Sequence, residues 1–236
     1  MPRSDLEVAL VRWIASLGGE WWFVDRAAAQ LSISALFRSM PCVAILVGYW
    51  TAAGAPGRGR AIRTRVLGGF LAAGVALLLS RLFQNAVYSP RPIHDPVLGQ
   101  LFLPYFHSIL PDDFHSFPSD HAAFLIPLAW AVFGLQPWLG AATGTLVLSV
   151  LLARTWTGLH YPTDVLAGAA FGLALAWVER LRPEVAARGV DLVDRARSRW
   201  PVAAGIALFL IAYLYAALFE PVRDAAEAVF RALGRW

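Results

Sequence analysis

Residues 122–153 read AAFLIPLAWAVFGLQPWLGAATGTLVLSVLLA and carry no charged side chain. As one helix rising 1.5 Å per residue, this stretch would be roughly 48 Å long. The hydrocarbon core of a bilayer is only about 30 Å thick and takes about 20 apolar residues. The stretch therefore has to fold back on itself. Gly134-Leu135-Gln136-Pro137 supplies the break, because Pro137 has no N–H to donate and its ring clashes with the preceding turn. The sequence predicts a hairpin of two helices, over about 119–136 and 138–156.

The rest of the chain fits the same solvent. It is 58% hydrophobic and only 15% charged, with a mean hydropathy of +0.56; soluble domains carry about 25% charged residues. Further apolar runs lie at about 33–53, 65–83, 161–180 and 200–219, which makes six spans. The predicted fold is an all-α, polytopic integral membrane bundle of about six transmembrane helices with an N-terminal interfacial helix. Three segments follow: 1–32 interfacial, 33–219 the membrane domain, 220–236 an amphipathic tail. Near the start, Ser4-Asp5-Leu6-Glu7 reads as a capping box, and Leu6, Leu10, Trp13, Ile14 and Leu17 share one face. Gly18-Gly19 stops that helix, and Trp21-Trp22 suits the headgroup level. No small-residue cleavage site follows, so no removable signal peptide is expected. Cys42 is the single cysteine, which excludes an internal disulfide.

All twenty basic residues are arginine, and the net charge is +4. They sit in loops between apolar runs, so they encode topology and no nucleic-acid partner is expected. Arg58, Arg60, Arg63 and Arg65 fall in one loop, and Arg180, Arg182, Arg188, Arg195, Arg197 and Arg199 in another. The positive-inside rule places both on the cytoplasmic side. The protein is then expected in the cytoplasmic membrane with 84–118 and 155–161 facing outward.

Three polar clusters lie at those outward ends: QNAVYSPRPIHD, with Arg91 after the second span; FPSDHA, with Ser119, Asp120 and His121 opening the third; and ARTWTGLHYPTD, with Arg154, His160 and Asp164 between the fourth and fifth. Each residue alone has an ordinary explanation. Ser119 can be an N-cap, Arg154 a cation at a helix C-terminus, Arg91 an interfacial snorkeller, and His160 with Asp164 a local hydrogen bond. Their convergence on one membrane surface has no such explanation. The set suits phosphoryl transfer. Guanidinium forks hold phosphate oxygens, a helix N-terminus offers free N–H groups, and imidazoles serve as nucleophile and proton carrier. His94, His107 and His115 with Asp112 and Asp113 could ligate a metal. However, no histidine pair has helical ligand spacing, and the arginines would repel a cation. No metal or other cofactor is expected, and there is no glycine loop for a nucleotide.

The ordered signatures Arg-Pro, Pro-Ser-x-His and Arg-x5-His-x3-Asp over about residues 65–180 resemble the type-2 phosphatidic acid phosphatase superfamily. The spelling SFPSDHA is similar to its undecaprenyl-diphosphatase branch, which is associated with bacitracin resistance. The resemblance implies that His160 attacks the terminal phosphorus, Asp164 orients His160, and His121 protonates the leaving oxygen and then activates water. Arg91, Arg154, Ser119 and the helix-start N–H groups would hold the phosphate, and no metal would be needed. Two positions depart from the pattern. Gln84 stands where the family has lysine, with Arg81 one turn earlier as a substitute cation, and Asp120 stands where most members have glycine. Arg38 is a weaker candidate for the same pocket.

The expected substrate is an isoprenoid or glycerolipid phosphate whose tail stays in the membrane, with undecaprenyl diphosphate leading. Phosphatidate or phosphatidylglycerophosphate is the alternative within the class. The other classes are a non-catalytic lipid-binding protein, and a transporter, whose polar residues would instead line the midplane. Leu101, Phe102, Leu103, Tyr105 and Phe106 make loop 94–117 apolar enough to dip into the interface or to pack on the bundle. Nothing in the sequence sets the oligomeric state.

Overall fold

The structure is a computed structural model and describes residues 3–53, 58–109, 115–222 and 225. The described residues form α1 (Asp5–Ser16), α2 (Trp22–Ile33), α3 (Ala35–Arg38), α4 (Met40–Ala52), α5 (Arg58–Ala86), α6 (Pro104–Ile109), α7 (Asp120–Leu135), α8 (Pro137–Trp156), α9 (Pro162–Leu181), α10 (Pro183–Arg199) and α11 (Pro201–Ala216). Two short 3-10 turns, Pro92–His94 and Gly99–Leu101, lie between α5 and α6.

The helix starts follow local chemistry. Ser119 Oγ accepts the Ala122 N–H at 3.4 Å and caps α7. Proline opens α8, α9, α10 and α11, where a missing N–H breaks no bond. Gln136 is extended, so α7 ends there and α8 begins at Pro137; the hairpin forms at the expected break. The N-terminal box is only half made. Ser4 Oγ accepts the Glu7 N–H at 3.3 Å, but the Glu7 carboxylate reaches away to the Thr163 N–H at 3.2 Å.

The first expected span, 33–53, is not one helix. Ser34 is extended and ends α2, and α4 does not begin until Met40. Pro41 explains the second interruption, because a helix running through it would drive its ring into the Phe37 carbonyl. The 13 residues of α4 rise only about 20 Å, short of the hydrocarbon thickness. By contrast, α5 runs from Arg58 to Ala86, longer than the expected 65–83. Most of the predicted 220–236 tail lies outside the described residues.

The bundle is built around α7. Phe124, Leu125, Leu128 and Val132 are fully buried, and α4, α5, α8 and α9 all pack on this helix. Its outer layer is apolar in the opposite sense: Leu166 of α9 is 68% exposed and Phe209 of α11 71%. Side chains of this kind, spread over several helices, need lipid rather than water. At one end, Arg60 and Arg63 of α5 pair with Asp191 and Asp194 of α10 at 2.9 and 2.7 Å. The two arginine-rich segments thus share one end of the bundle, as their spacing predicts.

Small residues bring α9 against α7. A Cβ on Gly168 would lie 2.2 Å from the Ser119 carbonyl oxygen, whereas one on Gly144 would meet nothing within 4 Å. Alanine gains up to about 1 kcal/mol over glycine in a helix, but overpacking against backbone costs about 1–3 kcal/mol. Gly168→Ala is therefore expected to lower the thermal midpoint in detergent and to impair turnover. Gly144→Ala should hold or raise the midpoint. Equal behaviour of the two variants would contradict this packing.

Candidate active site

Three backbone hydrogen bonds join the polar segments. Ser116 N–H donates to Ser89 O at 2.8 Å, Ile93 N–H to Gly158 O at 3.0 Å, and Ser119 N–H to Asp164 O at 2.9 Å. Residues distant in sequence are thereby fixed at one end of the bundle. Gly158 makes the turn before His160 with φ +75, a conformation that favours glycine. Its open side also admits Phe102, whose ring carbons would lie 2.9 Å from a Cβ.

His160 is completely buried. Its Nδ1 lies 2.9 Å from the Ser116 carbonyl. A carbonyl only accepts, so Nδ1 carries the proton and Nε2 keeps its lone pair. Burial comes first, then the Arg154 and Arg91 guanidiniums, in pushing its pKa well below the ordinary 6.5. The ring is neutral, with Nε2 unprotonated.

His121 sits differently. Its Nδ1 is 2.7 Å from Asp120 Oδ1, and the other Asp120 oxygen is 2.5 Å from Arg81. Asp120 thus orients His121 and is itself charge-balanced by Arg81. This gives the unusual acid a place that sequence left open. Neither Nε2, on His121 or His160, has a hydrogen-bond partner among the described residues. Two imidazole nitrogens without hydrogen bonds in one buried space, that of His160 lying 4.0 Å from Asp120 Oδ1, are arranged for a ligand.

The charge around them is positive. Arg38, Arg91 and Arg154 are all buried. Arg154 donates to the Ser32 carbonyl at 3.1 Å, and Arg38 pairs with Glu220 at 2.8 Å. Arg91 and Arg154 both act electrostatically on His160, and Arg38, Arg81 and Arg91 act on Arg154. Ring nitrogens of His121 and His160 and an oxygen of Asp120 lie within 4.8 Å of one another, close enough to share an ion. The surrounding guanidiniums oppose a cation there and favour an anion.

The sequence-predicted residues mostly meet here, with adjustments. Asp164 is fully buried, but its Oδ2 is 4.0 Å from His160 Nδ1 and instead accepts the Tyr161 N–H at 2.9 Å. The direct hydrogen bond that orients His160 comes from a backbone carbonyl. Gln84 donates to Pro118 O at 2.8 Å and braces the loop into α7. Ser119 acts as the cap, and its Oγ is committed to Ala122. Arg38 belongs to the site's electrostatics. His107 bonds Gly99 O at 3.0 Å and His115 stacks edge-on against Tyr88; Asp112 and Asp113 lie outside the described residues. Phe102 and Phe106 are buried against α1, so this part of loop 94–117 packs rather than dipping into lipid. Sequence reading missed Ser89, Ser116, Arg3 and Glu7. Only the paired polarity of Arg3 and Glu7 on an otherwise apolar helix face hinted at the last two.

An all-helical membrane bundle with a buried cationic end and two facing imidazoles defines a class: a membrane protein built to hold a phosphate-like anion. Residues 64–184 match the PAP2 superfamily. The chain belongs to that family and is a PAP2-type membrane phosphatase. It is 26% identical over 178 residues to the bacitracin transport permease protein BcrC of Bacillus licheniformis, covering 75% of this chain and 80% of that protein. Lipid A 1-phosphatases are also similar. That of Rhizobium johnstonii is 35% identical over 128 residues (53% and 50% of the two chains), and that of Rhizobium etli 30% over 171 residues (69% and 71%). A solved Bacillus subtilis transmembrane PAP2-type phosphatidylglycerolphosphate phosphatase matches with a TM-score of 0.37 at 20% identity, covering 79% of this chain and 94% of that one.

Two outcomes are expected from this geometry. Because Arg81 and Asp120 act on His121 as one unit, Arg81→Ala and Asp120→Asn should each lower kcat about 10- to 100-fold. The double variant should be little worse than Asp120→Asn alone; multiplicative losses would contradict the unit. The second concerns pH. His160 titrates far below 6.5 when folded, so below that pH the unfolded chain binds the proton first. Its contribution to stability is complete above 6.5 and declines as pH falls below it. The thermal midpoint of His160→Gln should therefore fall less than that of the wild type between about pH 7 and pH 5. Parallel slopes would show that His160 is not held neutral.

Proposed function

We propose that the protein removes the terminal phosphate of undecaprenyl diphosphate, or of a close isoprenoid diphosphate, through a phosphohistidine at His160. The observation that carries this reading is the His160 ring, with Nδ1 held by the Ser116 carbonyl and Nε2 without a hydrogen bond among the described residues, beside His121 and the arginines. Nε2 attacks the terminal phosphorus while the bond to the bridging oxygen breaks. His121, paired with Asp120, gives its Nε2 proton to the departing lipid monophosphate. The charge of the incoming diphosphate favours the protonated form of His121. The same nitrogen then takes a proton from water, which attacks the phosphohistidine, releases inorganic phosphate and restores His160. Arg91 and Arg154 hold the equatorial oxygens, where charge accumulates; the first N–H groups of α7 are taken by Asp120 and Ser119. Asp164 backs His160 from 4.0 Å.

The isoprenoid assignment rests on SFPSDHA and on similarity to a relative named for bacitracin transport. The active end is assigned to the extracytoplasmic face of the cytoplasmic membrane, because the opposite end carries the arginine-rich segments. The similarity to lipid A 1-phosphatases favours a second reading, in which the substrate is lipid A.

Phosphate release should be measured from undecaprenyl diphosphate, lipid A, phosphatidate and phosphatidylglycerophosphate, each with a chelator present. The isoprenoid diphosphate is expected to lead in kcat/KM by about tenfold or more. A lead for lipid A would move the assignment to the second reading, and a lead for a glycerolipid monophosphate would overturn both. His160→Ala should lose about 10⁴-fold or more in kcat while staying folded.

A further inference from the structure

Just before α1, the Arg3 side chain reaches into the catalytic end. A single Arg3 nitrogen lies 2.9 Å from Asp164 Oδ1, 2.6 Å from Ser89 Oγ and 3.2 Å from Ser116 Oγ. Its other terminal nitrogen donates to Thr163 Oγ1 at 3.0 Å, and the guanidinium lies over the Tyr161 ring at 4.0 Å. Arg3 thus touches residues from all three polar segments but neither histidine.

Two of those partners bear on His160. Ser116 supplies the carbonyl that holds His160 Nδ1, and Asp164 is the fully buried carboxylate behind it. Arg3 is the cation that pairs with Asp164 among the described residues. Glu7, one turn on, bonds the Thr163 N–H and lies 3.7 Å from Arg3. Farther along, Val11 and Ala15 are buried against Phe102, Phe106 and Tyr161, so α1 is docked by apolar contacts independent of Arg3. The apolar face fixes the helix, and Arg3 is presented to the site.

We infer that Arg3 is a positioning residue for catalysis: it holds Asp164 ionised and the Ser116 segment in register, so that His160 keeps its proton on Nδ1 and its lone pair on Nε2. This rests on the reading of His160 as nucleophile. The Arg3 salt bridge ends on Asp164, a carboxylate 4.0 Å from the His160 ring. The groups facing Asp164 are Arg3, just before α1, His160 from the preceding loop, the Tyr161 N–H and the Ser116 hydroxyl.

The test uses the full chain in nanodiscs with undecaprenyl diphosphate as substrate. Arg3→Ala is expected to lower kcat about 10- to 100-fold with KM changed less than about threefold. Arg3→Lys should recover part of the loss, and millimolar guanidinium should restore turnover to Arg3→Ala but not to His160→Ala. Should the alanine variant fail to fold, Arg3→Gln, which keeps donors without charge, should show the same kcat loss. Wild-type kcat in Arg3→Ala would overturn the inference, as would a loss confined to KM or to thermal stability with no guanidinium rescue. If wild type itself released no phosphate, or His160→Ala remained active, the phosphatase reading would fail first and this inference with it.

Discussion

Burying guanidinium groups at one end of an apolar bundle is the constraint on which the rest of the molecule depends. Arg154 leaves α8 and donates to the Ser32 carbonyl, while its Nε has no hydrogen-bond partner among the described residues. Arg38 and Arg91 are buried in the same region. The carboxylates there are already engaged, Asp120 with Arg81 and Glu220 with Arg38. An isolated buried charge is expensive unless it is paired. In the proposed reading a lipid phosphate completes this end without leaving the membrane. The helix starts, the backbone bonds between segments and the glycine contacts of α9 all hold these cations in place.

In the proposed reaction the two histidines divide two roles. Each has its Nδ1 engaged and its Nε2 turned into the pocket, but the partners differ. A neutral carbonyl behind His160 fixes a tautomer without favouring a positive ring, which suits a nucleophile. A carboxylate behind His121 stabilises the imidazolium, which suits a proton donor. The Arg81–Asp120–His121 chain therefore converts an apparent oddity of the sequence into the feature that separates the two rings.

Much of this was legible from sequence because it rests on short-range rules. The uncharged run broken at Pro137 gave the hairpin, Ser119 gave the start of α7, and arginine placement gave the shared end of α5 and α10. The convergence of Arg91, Asp120, His121, Arg154 and His160 followed from topology. What escaped has no local signature. A backbone carbonyl such as that of Ser116 carries no residue code, so the resemblance points to Asp164 for the contact that Ser116 O makes. Arg3 lies far from Asp164 in sequence, and nothing local links them. The break of the first span at Ser34 and Pro41 was hidden by an apolar composition that looks continuous when averaged.

The central claim, that residue 160 becomes covalently phosphorylated, is open to direct capture. Wild-type protein mixed with undecaprenyl diphosphate labelled in its terminal phosphate, quenched within milliseconds and digested under alkaline conditions, should yield a labelled peptide spanning His160. The label should be stable to alkali and lost in acid, and should build up further in His121→Ala. A label on any other residue, or turnover with no protein-bound phosphate in either form, would contradict the account.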